Sequence, residues 1–363
     1  MAPYATSCWY LRCVSVVIIS GSSGLIGNES VRFFCDKGFN VVGIDNNFRF
    51  KFFGNDGDTS KVRKELEGKY SNYKHFDVDI RDLDSLKKIY EHYSKSIKLV
   101  IHAAAQPSHD WAAKDPILDF QVNSLGTLNM LESTRQFCKD AVFIYMSTNK
   151  VYGDRSNFLS YIELETRYSP DNIYDYANSG FNEDFPTDQS LHSLFGVNKL
   201  SADLLTQEYG RYFGIKTTCL RGGCLSGPTH QGAELHGFLS YLVKCAVTNK
   251  HYSIYGYKGK QVRDNLHSKD VVSAFWEIFS NPGSGEVFNL GGGKYSNISI
   301  LEAINYLSKR GHQLDFNILE NHRIGDHQWW ISDLNKFQKK YPNWKVTKNS
   351  FEIIDETIEA LLN

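Results

Sequence analysis

The sequence of 363 residues predicts an α/β fold, in which a doubly wound parallel sheet is followed by a smaller α/β lobe. Short β-branched runs such as VSVVIIS (residues 14–20) have the composition of strands that are buried on both faces. These runs alternate with helical patterns as far as residue 223, and a glycine-rich turn joins the first run to the first helix. This alternation is typical of a parallel sheet that carries helices on both faces.

The elements follow one another in a regular order. Each predicted strand is a short apolar run, and each helix between strands shows spacing of apolar residues that suits one buried face. The predicted strands are 14–20, 40–45, 73–80, 97–105, 141–148 and 216–223. The predicted helices are 21–38 with its preceding turn, 61–69, 83–94, 117–137 and 192–213. Beyond residue 223 the pattern becomes shorter and less regular, which predicts the smaller lobe.

The composition excludes several classes of function. The net charge is -1 and no long basic or acidic run occurs, so we expect no nucleic-acid or membrane-surface partner. No run of about 18 apolar residues predicts a membrane span. The seven cysteines form no CxxC pair and no cluster with histidine. We therefore expect reduced thiols in a cytoplasmic protein and no metal site.

A glycine motif opens the first helix. Gly21, Gly24 and Gly27 form G-x-x-G-x-x-G directly after the first strand. Glycines let the backbone turn tightly and approach a pyrophosphate, which then rests on the helix N-terminus. Asp45 ends the second strand, where a carboxylate can bind the ribose hydroxyls of adenosine and repels a 2′-phosphate. The sequence therefore predicts a Rossmann-type domain that binds NAD rather than NADP.

Further cofactor contacts are expected where later strands end. Asp79 and Ile80 follow the third strand and can hold the adenine ring, although Asp79 also suits simple solvation near a helix start. The small residues Ala103, Ala104 and Ala105 let a cofactor lie close to the fourth strand, although they also suit tight helix–sheet packing. Ligands in such sheets bind beyond the carboxyl ends of the strands, so we expect the cleft between the two lobes.

The segment HSLFGVNKLSAD (192–203) has the pattern of a catalytic helix. Phe195 and Lys199 are four residues apart and therefore share one helix face. Ser147 and Thr148 end a strand, where a hydroxyl can hydrogen-bond a substrate oxygen that is being oxidised. Lys199 can bind the nicotinamide ribose and lower the pKa of a neighbouring phenol. Each residue also has a purely structural explanation. The hydroxyls of Ser147 and Thr148 can cap a helix, and Lys199 can be a solvated surface charge.

These motifs divide the chain into three parts. We expect an N-terminal tail (1–13), an NAD-binding domain (14–223) and a mainly substrate-binding lobe (224–363), with the chain free to cross between the lobes. The predicted NAD-binding residues are Gly21, Gly24, Leu25, Ile26, Gly27, Asp45, Asn46, Asp79, Ile80, Ala103, Ala104, Ala105 and Lys199.

Together these residues resemble the extended short-chain dehydrogenase/reductase family, which includes nucleotide-sugar epimerases and dehydratases. The resemblance runs from about Val14 to the C-terminus. The segments YMSTNKVYGD, ETRYSPDNIYDYANSGFNEDFPTD and GKQVRDNLHSKDVVSAF are most similar to the CDP-sugar 2-epimerases of that family. The resemblance implies a retained NAD and inversion of C2 in a CDP-3,6-dideoxyhexose, CDP-paratose giving CDP-tyvelose, by transient oxidation and re-reduction.

The resemblance also implies roles for single residues. Thr148 polarises the reacting oxygen, and Lys199 binds NAD and tunes the tyrosine that acts as the base of the family. Arg263 and Arg323 hold the nucleotide diphosphate, a task that suits the bidentate guanidinium. The expected catalytic positions are Thr148, Phe195 and Lys199, and the expected substrate-binding residues are Gln106, Thr148, Asn149, Arg263 and Arg323. Two long helices commonly form the dimer interface in this family, so for helices 117–137 and 192–213 the resemblance implies a homodimer or a dimer of dimers.

Phe195 departs from the family because it stands where the tyrosine is expected. Loss of a positioned acid or base costs about 10²–10⁴ in rate, so turnover should be badly impaired. Three explanations remain open: a deliberate Tyr→Phe substitution, another proton carrier (Thr148 through water, Tyr161 or Tyr168), or a non-catalytic protein that binds NAD or a nucleotide sugar. The retained Thr148 and Lys199 speak against the last of these.

A second enzymatic activity, 4-epimerisation of a UDP-sugar, also remains open. One fold can carry several activities, because the activity depends on the residues of the site. The family's 4,6-dehydratases carry an acidic pair directly after the catalytic threonine. Asn149 and Lys150 occupy those positions here, which argues against dehydration.

Overall fold

Seven parallel strands form the central sheet of the computed structural model, which describes residues 15–230, 232–234 and 236–363. The predicted tail (1–13) lies outside the described residues. The strands of the described residues are β1 (Val16–Ser20), β2 (Asn40–Ile44), β3 (Tyr73–Phe76), β4 (Ile97–His102), β5 (Val142–Thr148), β6 (Tyr161–Glu163), β7 (Tyr168–Pro170), β8 (Lys216–Gly222), β9 (Cys224–Ser226), β10 (Tyr252–Tyr255), β11 (Val262–His267), β12 (Glu286–Leu290), β13 (Asn297–Ser299), β14 (Phe316–Leu319) and β15 (Trp329–Trp330).

The strand order of the central sheet is β12-β8-β5-β4-β1-β2-β3. The order reverses beside β1, which pairs in parallel with β2 on one side and β4 on the other. This confirms the predicted doubly wound parallel sheet. The third and fourth predicted strands end earlier than expected, at Phe76 and His102, because the residues that follow leave the sheet as loops.

Helices cover both faces of the sheet. Alternate residues of β1 explain why: Val17 and Ile19 pack into one core cluster, whereas Val16 and Ile18 pack into another on the opposite face. The α-helices of the described residues are Leu25–Asp36, Arg49–Phe53, Ser60–Lys69, Leu83–Tyr93, His109–Lys114, Pro116–Phe120, Gly126–Phe137, Tyr176–Ser179, Ser193–Phe213, Phe238–Val247, Ser268–Ser280, Ile300–Lys309, Asn335–Lys340 and Ser350–Leu362.

The predicted helix 117–137 contains a π-helical stretch, Gln121–Leu125, between two α-helical parts. It meets the loop after β3 closely, since a Cβ on Gly126 would lie 2.6 Å from Cδ1 of Ile80. The predicted helix 192–213 is confirmed as Ser193–Phe213. Within the described residues, no helix combines the length and apolar character that a bilayer crossing requires.

The residues beyond 223 contribute both to smaller sheets of their own and to the central sheet. β9, β11, β13 and β15 form a small second sheet, and β10 pairs with β14 over a separate apolar core. β12 returns to the central sheet and pairs in parallel with β8. Helix Ser268–Ser280 also packs on the first part of the chain, where the Trp276 ring lies 6.1 Å from that of Phe33. The chain therefore crosses between the lobes.

Candidate active site

A cavity of about 390 Å³ lies at the carboxyl ends of β1, β4, β5 and β8, where the second lobe covers the sheet. The glycine turn, the loop after β4, the end of β5 and the start of helix Ser193–Phe213 supply its walls on the sheet side. The structure brings together in its lining the predicted residues Gly21, Gly24, Leu25, Ile26, Gly27, Ala103, Ala105, Thr148, Asn149, Phe195, Lys199, Arg263 and Arg323.

The glycine turn has the geometry of a diphosphate site. Gly21 has a φ of +69°, and a Cβ there would lie 2.8 Å from the Ala104 nitrogen. A Cβ on Gly27 would lie 1.9 Å from the Gly21 oxygen, so helix and turn approach as only glycine allows. No side chain caps helix Leu25–Asp36. Its first N–H groups are thus left for an anionic ligand, which fits a dinucleotide diphosphate.

Asp45 is hydrogen-bonded to the glycine turn. Its Oδ2 accepts a hydrogen bond from the Ser23 N–H at 3.0 Å, and its Oδ1 accepts one from the Asn47 N–H at 2.7 Å. Burial raises the pKa of Asp45, and these two N–H donors oppose that rise. The carboxylate stands at the end of β2 but is not among the residues that line the cavity.

Replacing Asp45 by alanine should weaken NAD binding about 10- to 100-fold, because a hydrogen bond to a charged group contributes about 1.5–3 kcal/mol. Titration calorimetry on the ligand-free protein measures the affinity. Asp77→Ala, which removes an exposed carboxylate after β3, serves as the matched control and should leave the affinity unchanged. An unchanged affinity in Asp45→Ala would remove this residue from the cofactor site.

Five other predicted residues lie outside the cavity lining. Asn46 donates to Asp79 Oδ2 at 3.1 Å, and Asp79 also pairs with Arg81 at 2.7 Å. Burial raises the pKa of Asp79, but its hydrogen bonds with Arg81 outweigh this and the net shift is downward. Ile80 packs in the core, and Ala104 lies behind Gly21. The fifth is Gln106, described next.

The carboxamide of Gln106 is occupied at both ends. Its Nε2 donates to Asp119 Oδ1 at 2.5 Å and to the Ser108 carbonyl at 2.8 Å, while its Oε1 accepts from the Ser108 N–H at 2.6 Å. Gln106 is fully buried. It therefore orders the loop after β4 in this structure.

The end of β5 separates the roles of its two hydroxyls. Ser147 donates to Asp203 Oδ2 at 2.6 Å, inside a buried network that includes Arg221. The Thr148 hydroxyl accepts from the Lys150 N–H at 3.3 Å and lines the cavity. Ser147 also lines the cavity, but its hydroxyl hydrogen is donated to Asp203, so Thr148 has the hydroxyl that is placed to meet a substrate.

Lys199 is buried beside these groups. Its Nζ donates to the Met146 carbonyl at 2.7 Å and lies 4.4 Å from the centre of the Tyr145 ring. Burial lowers the pKa of Lys199 to about 7, although Asp203 and Asp119 oppose the shift. Phe195, one helical turn earlier, is also buried at the cavity wall. The two residues share one helix face, as the spacing predicts.

His109 was not identified from the sequence. It lines the cavity, and its ring centre lies 5.0 Å from that of Phe195. Its Nδ1 is 2.8 Å from the Ser193 hydroxyl. Neither Tyr161, whose hydroxyl donates to the Ser156 carbonyl at 2.7 Å, nor Tyr168 is among the lining residues.

A charged cluster of Lys150, Arg263 and Asp326 was also missed. Asp326 Oδ1 is 3.2 Å from the Lys150 Nζ and 3.0 Å from the Arg263 Nη2. Burial would raise the pKa of Asp326, but the two cations lower it strongly. The predicted diphosphate ligand Arg263 is thus paired within the chain, whereas Arg323 lies over the Tyr255 ring at 4.2 Å.

Asp326→Asn should destabilise the ligand-free protein by about 2 kcal/mol, because it leaves two enclosed cations without their counter-charge. The value is below that of a fully buried pair since the Asp326 side chain is 27% exposed. Urea unfolding measures the change. Asp315→Asn removes an exposed partner of His251 and should leave the stability unaltered. Equal unfolding midpoints for Asp326→Asn and the parent chain would refute the prediction.

Known proteins share the fold of this chain and part of its sequence. The chain is 31% identical over 298 residues to CDP-paratose 2-epimerase of Salmonella typhi, covering 80% of this chain and 83% of that protein. It is 27% identical to UDP-glucuronate 4-epimerase of Thermodesulfobacterium geofontis, covering 94% of each. A solved structure, a tyrosine-to-phenylalanine mutant of UDP-glucuronic acid 4-epimerase from Bacillus cereus, superposes with a TM-score of 0.77 at 24% identity, covering 96% of this chain and 99% of that one.

The fold and the cavity define a Rossmann-type dinucleotide-binding protein. The model of the NAD dependent epimerase/dehydratase family matches residues 17–291, and the chain belongs to this family. NAD is its cofactor, in agreement with the glycine turn and the uncapped helix described above.

Proposed function

We propose that this chain is an NAD-dependent epimerase that inverts C2 of a CDP-3,6-dideoxyhexose and interconverts CDP-paratose and CDP-tyvelose. One observation carries the proposal: Thr148, residue 195 and Lys199 line the same cavity as the glycine turn. The likeness to a CDP-paratose 2-epimerase over four fifths of the chain supports the substrate.

Each group has a distinct task in this proposal. Bound NAD supplies reversible two-electron oxidation of an alcohol carbon. The N-terminus of helix Leu25–Asp36 holds its diphosphate, and Lys199 holds the nicotinamide ribose. The Thr148 hydroxyl hydrogen-bonds the reacting sugar oxygen. Arg263 and Arg323 bind the diphosphate of the nucleotide sugar.

The charge of the cavity supports anionic ligands. Cationic side chains outnumber carboxylates in its lining, and enclosed charge of one sign attracts ligands of the other. The cations are Arg49, Lys150, Lys199, Arg263 and Arg323, and the carboxylates are Glu234 and Asp326. A cofactor and a substrate that each carry a diphosphate match this balance.

The proposal is tested by incubating the chain and its Phe195→Tyr variant with CDP-tyvelose and following inversion at C2 by proton NMR. Inversion that is faster in the tyrosine form supports the substrate and identifies Phe195 as the block. If both forms retain NAD and neither inverts the sugar, the assigned sugar is wrong, and UDP-sugars are tested next.

Two other functions have some support. UDP-sugar 4-epimerisation is favoured by the relative that matches over 94% of both chains. A non-catalytic binding protein is favoured by Phe195, which has no proton to transfer. Inversion at C4 of a UDP-sugar would establish the first, and tight binding of a nucleotide sugar without turnover in the Phe195→Tyr variant would establish the second.

The assembly and the location are also part of the proposal. Large apolar side chains are exposed on the helices that the resemblance places in a dimer, which supports a homodimer or a dimer of dimers. These side chains are Ile117, Phe120, Leu125, Leu194, Val197 and Leu204. Free cysteines among the described residues, such as Cys35 and Cys219, are consistent with a cytoplasmic location.

A further inference from the structure

Phe195 leaves the proposed reaction without its usual proton carrier, and the residue packed against it has the required chemistry. The ring centres of His109 and Phe195 are 5.0 Å apart, and both side chains line the cavity. Imidazole is the side chain that most often transfers protons in enzymes. His109 begins helix His109–Lys114, which follows β4, and Phe195 lies in helix Ser193–Phe213, so the contact is made by the fold and not by proximity in sequence.

Ser193 holds the His109 ring from the other side. The Ser193 hydroxyl is 2.8 Å from Nδ1 of His109 and accepts a hydrogen bond from the Gly196 N–H at 3.3 Å. Ser193 has a φ of +58°, a conformation that costs a non-glycine residue about 1–3 kcal/mol. This strained residue is the first of helix Ser193–Phe213, and its hydroxyl contacts His109. Nε2 of His109 has no hydrogen-bond partner among the described residues.

The two lysines of the cavity are already engaged, because Lys199 donates to the Met146 carbonyl and Lys150 pairs with Asp326. His236 and His230, like His109, are bonded through Nδ1, at 3.0 Å to an Arg49 nitrogen and at 3.0 Å to the Ser240 hydroxyl. The position beside Phe195 therefore distinguishes His109 from these two histidines. Within the described part of the chain, His109 is the only one of these bases whose ring packs against that of Phe195.

We propose that His109, oriented by Ser193, carries the sugar-hydroxyl proton in this chain in place of the absent phenol. The inference rests on the proposed function. In the first half-reaction the C2 hydroxyl gives its proton to Nε2, while bound NAD would accept the hydrogen and electron pair of the C2–H bond and a ketone forms. In the second half-reaction Nε2 returns the proton to the ketone oxygen, and the reduced cofactor would return the hydrogen and electron pair to the opposite face of C2.

The electrostatic surroundings favour the form that accepts a proton. Burial lowers the pKa of His109 to about 3, Lys150 and Arg323 lower it as well, and Asp326 opposes them. The ring is therefore neutral at pH 7. The proposal places the hydrogen of the neutral ring on Nδ1, which lies 2.8 Å from the Ser193 hydroxyl, and so leaves the lone pair of Nε2 available. Because a base with so low a pKa accepts a proton less readily, we expect turnover to be slower than with a phenol at position 195.

The test compares His109→Gln in two backgrounds, the parent chain and Phe195→Tyr. Inversion at C2 is followed by proton NMR, and the sugar-nucleotide affinity is measured by calorimetry. We expect His109→Gln to lower turnover of the parent chain on the order of 10²-fold with little change in affinity, and to leave Phe195→Tyr nearly unaffected. The exposed His251→Gln is the matched control and should change neither.

Two further readouts separate proton transfer from packing. Added imidazole should restore part of the turnover of His109→Ala in the parent background. The ¹⁵N NMR signal that His109→Gln removes should report hydrogen on Nδ1. The proposal is overturned by an equal loss in both backgrounds, by no loss in the parent, or by a parent that is inert while Phe195→Tyr turns over. Silence of every form on all nucleotide sugars would instead overturn the proposed function.

Discussion

Replacing Phe195 by tyrosine is expected to raise the rate of sugar inversion about 10²–10⁴-fold, the usual contribution of a positioned acid or base. The rest of the arrangement is in place, because Thr148 and Lys199 line the same cavity as Phe195. A protonated Lys199 one turn along the helix lowers the pKa of a phenol at position 195. More of the phenol is then present as phenolate, which is the form that accepts a proton. Turnover numbers from proton NMR, with saturating substrate, give the ratio.

Phe195→Leu is the matched control for this experiment. It removes the ring and relaxes the packing against His109 without adding a hydroxyl. It should give no gain in turnover, whereas NAD affinity by calorimetry should be similar in all three forms. A gain in Phe195→Leu as large as that in Phe195→Tyr would show that space, and not the phenol, limits the reaction.

The second large effect concerns the pH dependence of stability and its origin in Lys199. Burial lowers the pKa of this lysine to about 7 in the folded protein, whereas an unfolded lysine titrates near 10.4. Between these values the unfolded chain binds the extra proton, so the free energy of unfolding rises with pH from about 7 to about 10. Below pH 7 both states are protonated and Lys199 adds no pH dependence.

Lys199→Met should therefore flatten this dependence in the ligand-free protein. The folded lysine is half protonated at pH 7 and almost fully deprotonated at pH 9. The rise in unfolding free energy between these pH values should therefore shrink by about 2 kcal/mol. Urea unfolding of parent and variant at both pH values measures it. Lys98→Met, at an exposed position of β4, should retain the full rise. Identical pH slopes in parent and Lys199→Met would disprove the assignment.

The parts of the site that local patterns encode were predictable from the sequence. The glycine turn follows β1 directly, and Phe195 and Lys199 share a face because of the helical repeat. The strand-by-strand alternation likewise predicted the sheet, because each buried strand is a contiguous apolar run. The assignment of β12 to the central sheet was not predictable, since a five-residue run after an irregular stretch does not reveal its partner.

Contacts between distant segments were beyond the sequence. Lys150 and Asp326 are 176 residues apart, and His109 and Ser193 are 84 apart, so no spacing rule connects them. Gln106 shows the converse case. The family resemblance implied a substrate contact for this residue, but in the structure its amide is hydrogen-bonded to the buried Asp119. Which polar side chains face a ligand is decided by such tertiary hydrogen bonds.

The return of β12 to the sheet has a consequence for how the protein can be divided. A fragment that stops at residue 223 would leave β8 as a bare edge strand, with unpaired backbone groups ready to join another chain. It would also lose helix Ser268–Ser280 from its place over Phe33 and expose that apolar surface. We therefore expect that a fragment meant to hold the cofactor half by itself needs the chain through residue 290, so that β12 is included.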